Sequence, residues 1–298
     1  MVNDKIYFRL SSCLFILGLI MVIGLGCAAK KPFWGDEKSG YILNYRPAVK
    51  DTWKYQSTAK QKTTMEQMGQ SMETTVNTFL RFTMTGFNVD KGDHLRTSVV
   101  IDMIRVDSKA MGREMIPDLS GFIGKSFALV FSRLGKELEM PGADSITVDL
   151  GMMLGGKQSI KSFFRNVLPD LPAQPIKIGQ SWTKRDTTDV SQAGLNIQVH
   201  SETTNTLEAI ENVLGYDCLK IASKSKSSME GAGQQMGANL NFEGEMEGSG
   251  IWYFAFKEGL FVKSNLENFL EGTIVVSGPA NMSMPMNQES RSEVILVK

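Results

Sequence analysis

The chain has 298 residues, with 32 basic and 32 acidic side chains, two histidines and three cysteines. This length allows one or two domains with a real hydrophobic core, and an apolar content of 42% is too high for a disordered chain. A formal net charge of zero argues against nucleic-acid binding. So few histidines and cysteines argue against a disulfide-dense mini-domain, a zinc site or a histidine-based catalytic centre.

The first 26 residues have the layout of a secretory signal peptide. Lys5 and Arg9 form a short positive region, and the apolar run at 10–25 follows and ends in small residues. The run is long for a signal peptide, and residues 10–29 just reach the length of about 20 that a membrane-spanning helix needs. An uncleaved membrane anchor therefore stays open as an alternative.

Cys27 favours the signal peptide. The segment Leu25-Gly26-Cys27 resembles the lipobox at the end of a bacterial lipoprotein signal, although Gly24 stands where that family prefers a larger aliphatic residue. The resemblance implies cleavage before Cys27 and a diacylglycerol on its sulfur, which would anchor the protein in the cell envelope. Ala28 in place of an acidic residue implies the outer membrane, with the periplasmic face of another membrane as the alternative.

Antiparallel strands are predicted for most of the mature chain. Residues 27–47 mix charge, glycine and proline without a period, which is typical of a tether, here a lipidated one. From residue 48 onward, stretches rich in β-branched and aromatic residues alternate with turn residues, as at 74–85 and 95–104. We therefore expect a mainly β protein, built as a curved antiparallel sheet or half-barrel.

One helix is predicted near residues 159–168, because apolar residues recur there with the spacing of one helix face. Its phenylalanines, Phe163 and Phe164, would cover an open face of the sheet. Residues 169–176 contain three prolines and are predicted to form a stiff connector. The organisation is therefore a first β half with the helix (48–168), the connector and a second β half (177–298).

The two halves resemble each other in the order of their elements. Trp53 and Trp182 each belong to a strand that is followed by a long hairpin, a glycine turn, an aromatic strand and a second glycine turn. An internal repeat would explain this order, but unrelated hairpins also share turn chemistry. If the repeat is real, the halves either pack against each other or form one continuous curved sheet.

The mature domain also resembles known proteins. The connector and the following Gly179-Gln180-Ser181-Trp182 are similar to a pattern in uncharacterised secreted bacterial lipoproteins. The order of elements is loosely similar to that of the lipoprotein-carrier half-barrels, in which a curved sheet and a helical lid enclose a hydrophobic cavity. These resemblances imply a fold, and one fold can host many functions.

Methionine is unusually frequent, with 18 in the chain. Two clusters lie at predicted hairpin ends; their members are Met65, Met68 and Met72 in the first and Met282, Met284 and Met286 in the second. Thioethers suit Cu(I), but methionines also form adaptable apolar surfaces for ligands or partners, or ordinary packing. All three interpretations stay open.

The remaining motifs favour a binding or structural role over catalysis. Glu243, Glu245 and Glu247 alternate along one strand and are predicted to form a solvated face rather than a cation site. The glycine-rich segment 144–156 lacks a phosphate-binding pattern, and the chain has no nucleophile elbow. Cys218 is predicted to be a buried apolar residue. We expect no enzyme, no metal and no cofactor.

The sequence therefore predicts a non-catalytic, membrane-anchored lipoprotein of the cell envelope. Its leading function is to bind an apolar ligand or an envelope protein, with Phe163, Phe164, Met282, Met284 and Met286 as contacts. The alternatives are a structural or interaction module with a solid core and a methionine-based Cu(I) binder. A continuous apolar cavity of about 300 Å3 or more would favour the ligand, and a filled core would favour the module.

Overall fold

The computed structural model describes residues 32–46, 51–67, 69–89, 94–110, 112–149, 157–192, 195–235, 237–278 and 281–297. Cys27 lies outside the described residues together with the predicted signal peptide, and so does Met68. Within the described ranges, no helix has the length and apolar character needed to cross a membrane.

Strands make up most of the described chain. In the first half they are β1 (Gly35–Asp36), β2 (Gly40–Tyr41), β3 (Thr52–Gln67), β4 (Gln70–Val89), β5 (Leu95–Ala110), β6 (Arg113–Met115), β7 (Ser126–Phe131), β8 (Glu137–Glu139), β9 (Thr147–Asp149) and β10 (Lys157–Ser159). The short helix α1 (Lys161–Phe164) follows. In the second half they are β11 (Ser181–Gln192), β12 (Leu195–Val213), β13 (Tyr216–Gln235), β14 (Ala238–Ala255), β15 (Leu260–Ser277) and β16 (Met282–Val297).

One antiparallel sheet of 12 strands dominates the structure. Its order is β11-β12-β13-β14-β15-β16-β3-β4-β5-β7-β8, with β6 paired to β5. The sheet is open, since β11 and β8 are the outermost of the described strands. The prediction of a mainly β, curved antiparallel sheet is confirmed. The two halves form one continuous sheet because β16 pairs with β3.

Both halves use the same strand order. In the first half β3, β4, β5, β7 and β8 are successive neighbours, and in the second half β11 to β15 are. Trp53 and Trp182 lie in the first strand of each series. This strand order is that of a simple antiparallel meander, so the internal repeat stays a prediction. The two halves differ in the length of their last two strands, since β7 and β8 have 6 and 3 residues whereas β14 and β15 have 18 each.

The long strands run between two ends of the sheet, which we call the base and the tip. The base is the end that holds Trp53 and Trp182, and the tip is the opposite end, where β3 ends at Gln67. A strand of 16 residues such as β3 spans roughly 50 Å. Side chains alternate between two faces. We call the face that carries Tyr55 and Trp252 the inner face, and the opposite one the outer face.

The base is a filled hydrophobic core. Three segments contribute buried side chains to it; they are residues 32–46, 119–148 and 160–176. Phe164 is fully buried, and its ring meets those of Phe82 and Phe127 edge to face, with centroids 4.9 Å apart in each pair. The hydroxyl of Tyr55 donates a buried hydrogen bond of 2.8 Å to the carbonyl of Phe261. Aromatic packing therefore fixes this end of the sheet.

The helix is shorter than the predicted 159–168. It ends at Phe164 because the backbone of Arg165 is extended, with ψ of 130°, and Asn166 has a positive φ of 54°. The apolar residues of this segment are still buried in the base core; they are Ile160, Phe164 and Leu168. The spacing that suggested a helix face thus reflects core packing by a mostly irregular segment.

Residues 32–46 differ from the predicted tether. They form the β1–β2 hairpin and an extended stretch in which Tyr41, Leu43 and Tyr45 are 5% exposed or less. Tyr41 and Ile176 of the connector exchange backbone hydrogen bonds of 2.7 and 2.9 Å. The segment and the connector therefore close the base together.

Candidate functional site on the inner face of the tip

Along the stretch of sheet between the base and the tip, the inner face and the outer face differ in charge. Inner-face positions of β12–β16 and β3–β5 carry uncharged side chains there, and charged residues occupy the alternate, outer-face positions. On β11 the inner face carries Lys184 and Asp186, which lie 3.4 Å apart, and Lys184 also pairs with Asp170 of the connector. The inner face is therefore suited to apolar contact and to uncharged hydrogen bonding.

The predicted glutamate stripe lies on the outer face of β14. Glu243, Glu245 and Glu247 are all exposed. Glu247 forms an ion pair of 2.9 Å with Lys226 of the neighbouring strand. In the part of the chain that the structure describes, no group of three or more His, Cys, Asp or Glu side chains is placed to hold a metal ion. The stripe has the exposure of a solvated face.

An apolar cluster occupies the inner face at the tip, and we call it the tip patch. Its members are Leu195, Ile197, Met229, Leu240, Phe242, Met246, Leu270, Ile274, Val276 and Met286. All of them belong to β12–β16, so the sheet packs against its own side chains here. The buried members, which are 5–8% exposed, are Leu195, Leu240, Phe242 and Leu270. The others are half-buried.

Two glycines allow the ring of Phe242 to lie close to the backbone. Gly244 and Gly272 are opposite each other on β14 and β15. A Cβ at Gly244 would come within 2.9 Å of the Phe242 ring, and a Cβ at Gly272 within 2.8 Å. Any larger residue would displace the ring, so the shape of the tip patch depends on these two positions.

The two methionine clusters of the sequence meet on this face. Met286 of β16 is directly opposite Met65 of β3, and Met65 is directly opposite Met72 of β4. Residues opposed in this way have Cβ atoms about 5 Å apart. Met282 and Met284 follow on the same face of β16 and are half-buried. Together with the tip patch, these side chains form a methionine-rich apolar surface.

Small polar side chains separate the tip patch from the base. The hydroxyls of Ser201 and Ser227 lie 2.8 Å apart, and the side-chain amide of Gln61 donates to that of Gln288 over 3.0 Å. These groups hydrogen-bond to one another across neighbouring strands. They therefore keep the inner face uncharged without leaving their polar atoms unpaired.

The cavities on the described surface include five of about 550 to 1100 Å3. They are open grooves on the sheet, and the largest of these is lined by the outer-face ion pairs Lys226–Glu247 and Arg291–Glu267. The α1 phenylalanines and the three β16 methionines that were predicted as ligand contacts line none of the five. Phe163 packs against the base core, and Phe164 is part of it.

Cys218 and Tyr55 are strongly buried titratable groups of the base. Burial raises the pKa of the Cys218 thiol to about 12, so the thiol is protonated at neutral pH. Cys218 has no exposed surface and forms no disulfide, which confirms that it is a buried apolar residue. Burial also raises the pKa of the Tyr55 hydroxyl, whose proton is held by the Phe261 carbonyl. Burial therefore favours the protonated form of both groups.

Comparisons with known proteins identify one family. A family model described as a family of unknown function, DUF6263, matches residues 77–251. No curated protein matches the chain.

Solved structures resemble the chain only remotely. OccK5 (OpdH) from Pseudomonas aeruginosa has 6% identity and a TM-score of 0.27, over 85% of this chain and 100% of that one. OccD3 (OpdP) from the same organism has 7% identity and a TM-score of 0.26, over 90% and 98%. A BenF-like porin from Pseudomonas fluorescens Pf-5 has 7% identity and a TM-score of 0.20, over 84% and 100%. With such low scores, these resemblances carry no argument about function.

Proposed function

Because the chain belongs to DUF6263, a family of unknown function, we propose its function from its own geometry. The protein is a non-catalytic, membrane-anchored interaction protein of the cell envelope, and the inner face of its tip binds an apolar segment of a partner protein. This face comprises the tip patch and the methionines beside it.

The observation that carries the proposal is the join between the tip patch and the row Met286–Met65–Met72. Contiguous apolar surface on a soluble domain commonly marks an interaction site. Methionine side chains are flexible and polarizable, so they adapt to apolar partners of different shape. The uncharged inner-face positions around them favour an apolar, uncharged segment over a charged one.

The filled base favours a partner protein over an enclosed small ligand. Phe164, which would have lined a ligand cavity beneath a lid, is instead fully buried between Phe82 and Phe127. Small-molecule sites are usually concave and bury most of the ligand, whereas the described cavities are open grooves on the sheet. An extended apolar segment could lie on the tip face without such an enclosure.

The proposed lipid anchor would leave the tip face free. Pro32, the first described residue, lies five positions after Cys27, and five residues span at most about 18 Å. Residues 32–46 pack at the base, and the long strands place the tip roughly 50 Å from it. A lipid on Cys27 would therefore stay near the base and would not reach the tip patch.

Site-specific photo-crosslinking in cells tests this function on the full chain. Benzoylphenylalanine replaces either Met284, on the inner face, or its neighbour Ser283, on the outer face. We expect a polypeptide adduct from position 284 and none from position 283. Met65→Glu, which places a charge on the same face, should abolish the adduct at position 284.

Two results would contradict the proposal. One is the absence of any polypeptide adduct from position 284, and the other is equal adducts from both positions. An adduct at position 284 with the mass of a lipid would instead support an apolar ligand on the same face.

The row of three methionines also supports a second candidate function, the binding of Cu(I). Their thioethers lie on one face of three neighbouring strands, and thioethers are soft ligands that suit this ion. Cu(I) titration of the full chain and of the double variant Met65→Leu/Met286→Leu tests it. Met103→Leu, an exposed position, is the control. Loss of tight binding in the double variant alone would support copper, and unchanged affinity would exclude this site.

A further inference from the structure

The edge strand β11 offers a second interaction surface, separate from the tip face. It pairs with β12 over all of its 12 residues without a break in register. No other described strand pairs with its second side. A long, regular edge without proline or a bulge can accept another strand.

The hydrogen bond Leu207→Gln180 shows which backbone groups are available on that edge. The Leu207 N–H donates to the Gln180 carbonyl over 3.0 Å, in the register that continues along β11. Even-numbered residues of β11 therefore face β12, and odd-numbered residues direct their N–H and C=O groups to the free side. The carbonyl of Asp189 agrees, since it accepts a 2.9 Å hydrogen bond from the exposed side chain of Arg165.

We propose that two copies of the chain pair antiparallel through β11, about a two-fold axis at Thr187. In this register each Arg185, which pairs with Glu202 of its own copy over 2.6 Å, lies opposite Asp189 of the second copy, and both are odd-numbered residues of the free side. A two-fold axis at Arg185 or Asp186 would place like charges opposite each other. An axis at Thr188 would remove the ion pairs between Arg185 and Asp189. A second copy in this register adds a carboxylate beside each Arg185, and this charge complementarity favours both the occupant and the register.

The pairing is isologous and closes with two copies. It extends the sheet from one copy into the next and places the inner faces on the same side. Because the strands are antiparallel, the two bases lie at opposite ends of the assembly. Two contacts within the chain compete with this pairing. Arg165 occupies the Asp189 carbonyl that would accept the Arg185 N–H of the second copy, and the Asp186 carboxylate accepts the Thr187 N–H over 3.0 Å.

Disulfide trapping in the full chain tests the register. Thr187→Cys places two cysteines opposite each other across the axis, within the Cα separation that a disulfide spans. Thr183→Cys is the matched control on the same strand, since position 183 lies opposite Ser191. We expect a covalent dimer from the first variant only, above the background that the unsubstituted chain gives with its own cysteines.

Charge exchange tests the chemistry of the same contact. Arg185→Asp or Asp189→Arg should lower the trapped fraction of Thr187→Cys roughly tenfold, because two attractive pairs become repulsive. The double exchange Arg185→Asp/Asp189→Arg should restore it, and Arg165→Ala should raise it. Far-ultraviolet circular dichroism confirms that each variant is folded.

The proposal is overturned if Thr187→Cys traps no more dimer than Thr183→Cys. It is also overturned if the trapped fraction does not respond to the charge exchanges. The tip face has no part in this contact, so either result would leave the proposed function untouched.

Discussion

The base and the tip are two ends of the same strands, yet different interactions hold them. At the base, aromatic rings of the sheet pack against segments that lie outside the long strands, and a buried hydrogen bond joins Tyr55 to Phe261. At the tip, among the residues that the structure describes, the sheet packs against its own inner-face side chains. The packing at the base is thus able to fix the register of strands that continue to the tip. The tip is then left with an accessible apolar surface.

The largest effect is expected from removing an aromatic ring at the base. Phe164→Ala should lower the free energy of unfolding by about 3–5 kcal/mol, because it deletes a fully buried ring and leaves a cavity. Urea denaturation measures this loss. Phe269→Ala makes the same change on the outer face, where the side chain is 41% exposed, and should cost less than about 1 kcal/mol. Equal losses would show that the two regions are not held differently.

A smaller effect is expected from the buried hydroxyl at the base. Tyr55→Phe should lower the free energy of unfolding by about 1–2 kcal/mol, because it leaves the buried Phe261 carbonyl without its donor. The control is Tyr253→Phe, whose half-buried hydroxyl makes a longer contact of 3.3 Å with Glu211. Thermal unfolding should rank Tyr55→Phe as the less stable variant, and the reverse order would contradict the account.

Alkaline pH should weaken the base through Cys218. The thiol pKa is about 12 in the folded chain against a reference value of 9.0, so above pH 9 the unfolded chain loses a proton that the folded chain keeps. Stability therefore falls as pH rises, by at most about 1.4 kcal/mol per pH unit.

Unfolding measurements between pH 9 and 10 on the unsubstituted chain and on Cys218→Ala separate this effect from that of the other titratable groups, which the two chains share. Cys218→Ala should flatten the slope of stability against pH over that range. A variant that keeps the full slope would assign the alkaline loss to other groups.

The smallest effect is expected from the outer face of the tip. Arg291 and Glu267 form an ion pair of 3.3 Å, with side chains 77% and 64% exposed. Arg291→Ala should change the free energy of unfolding by less than about 0.5 kcal/mol, because exposed pairs are well screened by water and salt. A loss above 1 kcal/mol at moderate salt would mean that the outer face contributes to the stability of the tip.

Local patterns predicted much of the fold. Alternating β-branched stretches indicated the strands, the prolines at 169–176 indicated a connector, and Glu243, Glu245 and Glu247 were correctly placed on one face. The predicted helix was longer than the observed one. Apolar spacing indicates which residues are buried, and it could not show that Asn166 adopts a positive φ. Tyr41, Leu43 and Tyr45 do alternate in the sequence, and this signal could have identified a packed segment within the predicted tether.

The candidate site could not be assembled from local patterns. Met65 and Met286 are neighbours only because the last strand of the chain pairs with the first long strand. Nothing near either residue in the sequence specifies that partner, since strand pairing at such separation depends on the whole sheet. The same reason hid the tip patch, whose members come from five strands. The edge position of β11 likewise emerges only from the complete strand order.

Photolabelling with an uncharged aryl diazirine tests most directly whether the apolar face of the tip is the accessible one. The full chain is purified in lipid nanodiscs and labelled, and mass spectrometry locates the label. We predict label on the peptides that contain Met65 and Met286, a strong decrease in Met286→Glu, and no decrease in the outer-face control Asn287→Glu. Label confined to residues 160–168 of the base, with an unlabelled tip, would contradict the account.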